Sequence, residues 1–280
     1  MECPHCQHDV RSFERHCPVC NTDAGYPNVR AAEEAPERAA LAHRFAGARD
    51  HCQQHGTAAV LEQFLTALRH STPVICRSLQ QVLGLVSSDN ELYASFYGQR
   101  QGGVRRPDDS AIERERLIAD DLLFPYYKEE IRFAALSLSE DGVRYYGDCS
   151  LVLTEFAVAN RTTVFEQNSV DFCKARKLGA ATPLPPGYRA IWQSRDELGA
   201  AKLHAQLGPD SNQATFRRLL IANGESAGAD FIEVHIFGPL HRRSISSITV
   251  PEPRNPVDEA LTLQIEHRAR EVDAQVVRRG

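Results

Sequence analysis

The chain holds no apolar run near the roughly 18 residues that a spanning helix needs, so no membrane contact of that kind is expected. Its first residues, MECPHCQHDV, lack a basic segment followed by an apolar one. No secretory signal is expected on that ground, and the cytoplasm is the expected compartment. An excess of positive charge is also missing. The 32 Lys+Arg stand against 37 Asp+Glu, a net charge of −5, which argues against a bulk electrostatic grip on nucleic acid or an anionic membrane. Neither a Walker-type loop nor a GxGxxG turn occurs, so a dinucleotide would not be held in the Rossmann manner. Internal repeats and low-complexity tracts are absent. With 42% hydrophobic and 25% charged residues, the composition is that of a globular chain, and 280 residues fit about two domain equivalents.

Cysteine is concentrated at the front. Cys3, Cys6, Cys17 and Cys20 form two CxxC pairs, C-P-H-C and C-P-V-C, ten residues apart. Each short knuckle can point two thiolates at one tetrahedral Zn²⁺ while its turn amides hydrogen-bond the sulfurs. In a segment too short to bury a core, the metal supplies the folding free energy. A reducing compartment argues against disulfides, and four thiolates leave no open position for catalysis. A structural zinc ribbon over residues 1–25 is therefore expected, with His5, His8 and His16 as solvated neighbours. The ribbon carries two arginines against four acidic residues, so it suits docking to protein at least as well as to phosphate. Cys52, Cys76, Cys149 and Cys173 lack metal spacing and read as small buried hydrophobes.

Residues 26–56, rich in alanine and charge, read as a helical connector with breaks at Pro36 and Gly56. From Thr57 the texture becomes that of a core. Leu61, Phe64, Leu65 and Leu68 fall at helical spacing. TPVICRSLQQVLG predicts a second helix, with Thr72 as N-cap, Pro73 at its first position and Gly84 just past its end. A Ser110–Glu113 capping box opens a helix that stops before Pro125. IRFAALSLS, SLVLTEFAV and RTTVFE predict strands. Two helices follow, one opened by a Ser194/Glu197 box and ended by Gly208, the other from Asp210 to Gly224. DFIEVHIFG predicts the last strand, and residues 251–280 a polar helical tail. Helices early and strands late give an α+β domain over 57–250.

Three places could carry chemistry. In DFIEVHIF, alternation sends Ile232, Val234 and Ile236 to one face and Phe231, Glu233, His235 and Phe237 to the other. A carboxylate there is costly without a partner, so Glu233 lines a cleft or sits on a solvated edge. His70 precedes the expected helix start at Ser71–Thr72, where free amides can receive phosphate or ribose oxygens. Ser137 and Ser139 end a strand, and Tyr145 and Tyr146 follow a turn, offering a face on which a flat heteroaromatic ring stacks.

In this order the elements resemble the ADP-ribosyltransferase superfamily, particularly its histidine–tyrosine–glutamate branch of bacterial toxin and defence type. LRHSTPVICRSLQQVLGL is similar to the opening His-x-Thr unit, IRFAALSLSEDGVRYYG to the following strand, serine turn and tyrosine, and FIEVHIFGPLHRRSISSI to the segment whose glutamate begins a late strand. The similarity spans residues 68–250. It departs from the Glu-x-Glu or Gln-x-Glu pattern at Phe231, which removes the usual guide to the acceptor.

The resemblance implies a split antiparallel sheet core with flanking helices, and NAD as co-substrate. His70 would bond a ribose hydroxyl, steadied by Ser71 or Thr72. Tyr145 or Tyr146 would stack on nicotinamide, and Ser137 or Ser139 would reach the carboxamide. Glu233 would stabilise positive charge as the glycosidic bond breaks and help deprotonate the acceptor. The expected acceptor is a macromolecule, RNA or DNA before protein, on the strength of three basic clusters: Arg100 with Arg105 and Arg106, Arg217 with Arg218, and His241 with Arg242 and Arg243. A restraining protein partner is expected for a transferase that would consume NAD in its own cell. The alternative is a zinc-ribbon adaptor with an inactive domain; an RNA 2′-phosphotransferase, of related fold, would need an arginine-rich phosphate pocket besides His70.

Overall fold

The computed structural model describes residues 1–90, 93, 97–98, 111–179 and 182–279. Ser110, the expected cap of the helix before Pro125, and Arg100, Arg105 and Arg106 lie outside the described residues. Behind the cysteine knuckles come α1 (Pro27–Glu33), α2 (Ala35–Gln54) and α3 (Ala58–Arg69). The chain breaks at Glu34, so Pro36 falls in the first turn of α2, where its missing N–H costs nothing. The connector is helical as expected, and α2 packs on a later helix rather than tethering two parts loosely. In α3 the expected residues Leu61, Phe64, Leu65 and Leu68 are buried.

The expected helix from Thr72 is instead two elements, β1 (Thr72–Arg77) and α4 (Leu79–Val86). Pro73, Val74, Ile75 and Cys76 are all buried, and β-branched residues in a short apolar run suit a central strand flanked by partners on both sides. The cap that works is Ser78, whose hydroxyl accepts from the Gln81 amide while Gln81 reaches back to Ser78 N–H. Gly84 consequently lies inside α4.

There follow α5 (Ala111–Leu123), β2 (Ile131–Ser137), β3 (Cys149–Leu153), β4 (Thr162–Phe165), α6 (Ser169–Ala175), β5 (Arg189–Ile191), α7 (Arg195–Leu203) and α8 (Gln213–Leu220). Ser194 makes no capping bond to α7, and α8 starts after Asn212, whose side chain accepts from Ala214 and Thr215 N–H. Both helices are shorter than expected, and α8 gives way at once to β6 (Ile221–Ala222). The chain ends with β7 (Asp230–Phe231), β8 (Glu233–Phe237), β9 (Ile245–Pro251), α9 (Pro256–Arg270) and β10 (Gln275–Arg279). The tail is therefore helix only to Arg270; its last residues pair with β9 in parallel and extend the sheet.

The architecture is mixed α/β around one eight-stranded sheet in the order β10-β9-β3-β1-β2-β8-β4-β5, antiparallel except for β10 on β9. The pairing is continuous where a split was expected, because β2 bonds β1 on one side and β8 on the other. Registered pairs share a face. One face carries Ile75, Leu136, Leu151, Val164, Val234, Ile236 and Ile248, all buried in the main core with α3 and α7. The opposite face carries the Thr72–Ser137, Val74–Ala135–Glu233–Phe165 and Phe133–His235 rows, and Ser150–Thr249 further out. Helices α5 and α6 cover part of it through a second core of Phe124, Tyr127, Phe165 and Phe172.

Gly147 holds this face together at a point of contact between backbones. Its φ is 149°, and a Cβ there would lie 2.2 Å from the Arg77 carbonyl carbon. Gly147→Ala is expected to lose about 3 kcal/mol or more, by the mechanisms of backbone strain and overpacking. Gly84→Ala, inside a helix with nothing within 4 Å of the new methyl, is expected to gain about 0.5–1 kcal/mol. Urea midpoints of the two variants check the pair of signs.

Candidate functional site

The four front cysteines converge. Cys3 and Cys20 Sγ are 3.6 Å apart, Cys6 and Cys17 Sγ 3.5 Å, and all four lie within 4.8 Å of one another. Zn–S bonds of about 2.3 Å place tetrahedral sulfurs ~3.8 Å apart, so the set fits a closed Zn²⁺ site. The knuckles are copies of one another. In the first, Gln7 N donates to Cys3 O and Cys3 N to His8 O; in the second, Asn21 N donates to Cys17 O and Cys17 N to Thr22 O. Gln7 and Asn21 take φ values of 59° and 58° to close these turns. His5, His8 and His16 are exposed and outside the cluster, as read from sequence. The ribbon does not hang free. Arg30 of α1 donates to the carbonyls of Arg11, Ser12, Glu14 and Ala24, and Phe13 packs on Tyr126 with ring centroids 4.6 Å apart. The remaining cysteines, Cys52, Cys76, Cys149 and Cys173, are buried and unpaired.

Glu233 begins β8 and is 2% exposed. Its Oε2 lies 2.9 Å from His235 Nε2 and accepts from the Ser169 N–H at 3.0 Å. Arg116 Nη1 stands 3.8 Å from Oε1 and its guanidinium lies over the Phe133 ring. Burial opposes the charge on Glu233, but the His235 bond, the Arg116 charge and the Ser169 amide outweigh it and hold the carboxyl below the usual range. Behind Arg116 sits Asp120, fully buried, accepting from Arg116 Nε at 3.1 Å and from the Tyr97 hydroxyl at 2.8 Å. Burial pushes the Asp120 carboxyl up, against the pull of Arg116. Asp120 Oδ1 and Ser169 Oγ, both buried, have no hydrogen-bond partner among the described residues. Rings of Phe124, Phe133 and Phe165 surround His235 at 4.8, 5.4 and 5.8 Å. The result is an ionised carboxylate fixed in a low-dielectric setting, where its field is strongest.

Tyr146 connects this cluster to the surface. Its ring is half exposed, its hydroxyl accepts from Asn168 Nδ2 at 3.3 Å, and burial followed by the Glu233 charge pushes that hydroxyl up to about 12. Tyr145 is 54% exposed and meets Tyr146 edge-on, with centroids 5.4 Å apart.

The other expected ligands gather elsewhere. His70, Thr72, Ser137 and Ser139 line an open cavity of about 920 Å³ together with Arg217 and Arg243. Glu233, Tyr145 and Tyr146 do not line it. His70 caps the end of α3 and precedes a strand, so the helix N-terminus expected beside it does not exist. The Ser71 hydroxyl donates to Leu68 O within that cap. Ser137 donates to Asp141 O and accepts from Ser139 N–H, which shapes the turn. Sequence placed two sets of residues in one site; the fold puts them on one sheet face, in two clusters.

Arg116, Asp120, Tyr97, Asn168 and Ser169 had no role in the sequence reading. Arg116 and Asp120 form an i,i+4 pair that looks like any solvated helix face. Asn168 does carry a local signal, since it caps α6 through Val170 and Asp171 N–H. No helix among the described residues is long and apolar enough to cross a membrane. Neither a protein-family model nor a curated protein matches the chain.

Purified protein should contain about one zinc per chain, lost in Cys6→Ser and Cys17→Ser and read by elemental analysis. The Glu233 carboxyl gives a pH prediction. A carboxyl held below its unfolded value stabilises the fold above about pH 4.3 and loses that contribution as pH falls further. The melting-temperature advantage of wild type over Glu233→Gln should therefore be steady at neutral pH and shrink in acid.

Proposed function

We propose that the chain is a mono-ADP-ribosyltransferase that moves ADP-ribose from NAD to a macromolecule. The observation that carries this reading is Glu233: a carboxylate kept ionised at the head of a central strand by His235, Arg116 and a backbone amide, and near enough to Tyr146 for its charge to push that hydroxyl up. Such a group is suited to a reaction that develops an oxocarbenium-like centre. As the bond from ribose C1′ to nicotinamide nitrogen breaks, nicotinamide leaves with the electron pair. Glu233 stabilises the positive charge left on the ribose, and the acceptor attacks C1′ while its proton passes to the carboxylate. His70, Thr72, Ser137 and Ser139 supply hydroxyl and imidazole groups in a cavity of about 920 Å³, roomy enough for a dinucleotide, and Arg217 at its wall suits the pyrophosphate. An ADP-ribosyltransferase-like core built on this continuous sheet, a neutralising protein partner and a toxin or phage-defence setting belong to the same proposal.

The enclosure of Glu233, at 2% exposure, favours a second reading, a zinc-ribbon adaptor whose α/β domain lacks activity. Labelled NAD offered with RNA, DNA or cell lysate separates the two. Transfer of label by wild type, reduced about 10²–10³-fold in Glu233→Gln, supports the transferase. Equal transfer by both proteins would remove Glu233 from the reaction, and no transfer would leave the adaptor.

A further inference from the structure

The cavity that holds His70 borders a second one of about 700 Å³, and the two share Ser139 and Arg217. Their charge differs. The first is lined by two acids, Glu140 and Asp273, and by Arg217 and Arg243, of which Arg243 is already bound to Asp89 at 2.7 Å. In the second, each acid has its own arginine: Glu225 pairs with Arg144, and Asp141 with Arg279. That leaves Arg217 and Arg218, both exposed in the last turn of α8, with no ion pair among the described residues. Of the basic clusters seen in sequence, the 241–243 group is engaged internally, since Arg242 is buried against Asp89 and Glu271. Arg217 and Arg218 therefore carry the uncompensated positive charge of this groove.

The backbone at the margin of this cavity carries two exposed tyrosines that the core does not use. Arg144 of the second cavity is followed directly by Tyr145 and Tyr146, and Tyr145 N–H donates to the carbonyl of Gly224 on the cavity wall at 2.9 Å. Tyr145 and Tyr146 are 54% and 46% exposed, and their rings meet edge-on with centroids 5.4 Å apart. Unpaired cations next to exposed rings match a strand whose phosphates are spaced along a flexible backbone and whose bases are free to stack. A duplex keeps its base faces inside, and an acidic peptide has no use for the rings.

We infer that this second cavity, with Arg217, Arg218 and the Tyr145–Tyr146 pair, binds single-stranded nucleic acid. The inference rests on the transferase reading only in naming its acceptor; binding itself needs no NAD. The Tyr146 hydroxyl accepts from Asn168, whose neighbour Ser169 donates to Glu233, so a base stacked on the pair lies toward the Glu233 cluster.

The test is fluorescence anisotropy of the full-length, zinc-loaded protein with labelled single-stranded DNA and RNA of about 12 nucleotides, without NAD, across a salt series. Wild type should bind both at low salt. Replacing Arg217 and Arg218 by alanine should lower the slope of log K against log salt by about 1.4, or ~0.7 per phosphate contact. Tyr145→Ala should weaken binding roughly 5- to 150-fold, the range for one stacked base. Arg38→Ala, at an exposed arginine on α2, removes one positive charge elsewhere and should leave the salt slope unchanged. The inference is overturned by absence of binding, by equal affinity for the matching duplex, by equal competition from polyglutamate, or by insensitivity to Tyr145→Ala. Oligonucleotide binding without label transfer from NAD would sink the transferase reading alone; transfer to protein without oligonucleotide binding would sink this one alone.

Discussion

A carboxylate in the middle of a protein is the constraint around which much of this molecule is arranged. Moving an unpaired carboxylate into the interior would cost several kcal/mol, so Glu233 can stay ionised only if donors converge on it. They come from three separate parts of the chain: His235 on the same strand, Arg116 on α5 and the Ser169 amide at the start of α6. Those donors fix where α5 and α6 sit on the sheet. Arg116 in turn needs Asp120, and Asp120 holds Tyr97. Phe124, Phe133 and Phe165 exclude water around His235 and strengthen each of these interactions. The result is a polar network of perturbed ionisable groups inside an apolar shell.

The sheet divides the labour between its faces. The apolar side is closed by helices and serves stability. The other side is rich in hydroxyls, from Thr72 and Ser137 to Ser150, Ser247 and Thr249, and it bears both the His70 cavity and the Glu233 cluster. Between them the chain from Asp141 to Gly147 folds down on the strands. A Cβ on Gly142 would abut Val74 and Cys76, and Val143 packs with Ala135 and Phe231. This turn ends in Tyr145 and Tyr146, which are half exposed and meet edge-on.

The cysteine ribbon, α3 and the strands on either side of the tyrosines were legible because their patterns are local: ligand spacing, a 3.6-residue stripe, alternation. Glu233 was legible for a different reason, as a charge that breaks an apolar alternation. The first strand was misread because Thr72 and Pro73 also form a good helix start, and only pairing with β2 and β3 decides between the two. Gln275–Arg279 was missed because its strand character depends on β9, which no window of sequence contains. Arg116 and Asp120 were invisible for the same reason at the level of side chains. An i,i+4 ion pair has the same appearance whether it faces water or, as here, a buried glutamate more than a hundred residues away.

The borders of the sheet have a consequence for how the protein behaves at high concentration. A long open ladder invites pairing with another copy, and this one is finished differently at its two ends. On one side β5 is only three residues long. On the other, β10 ends in Arg278 and Arg279, each held by acidic residues, so that a row of tethered charge flanks the last free backbone groups. Short length at one margin and guanidinium groups at the other discourage the growth of the sheet into an aggregate.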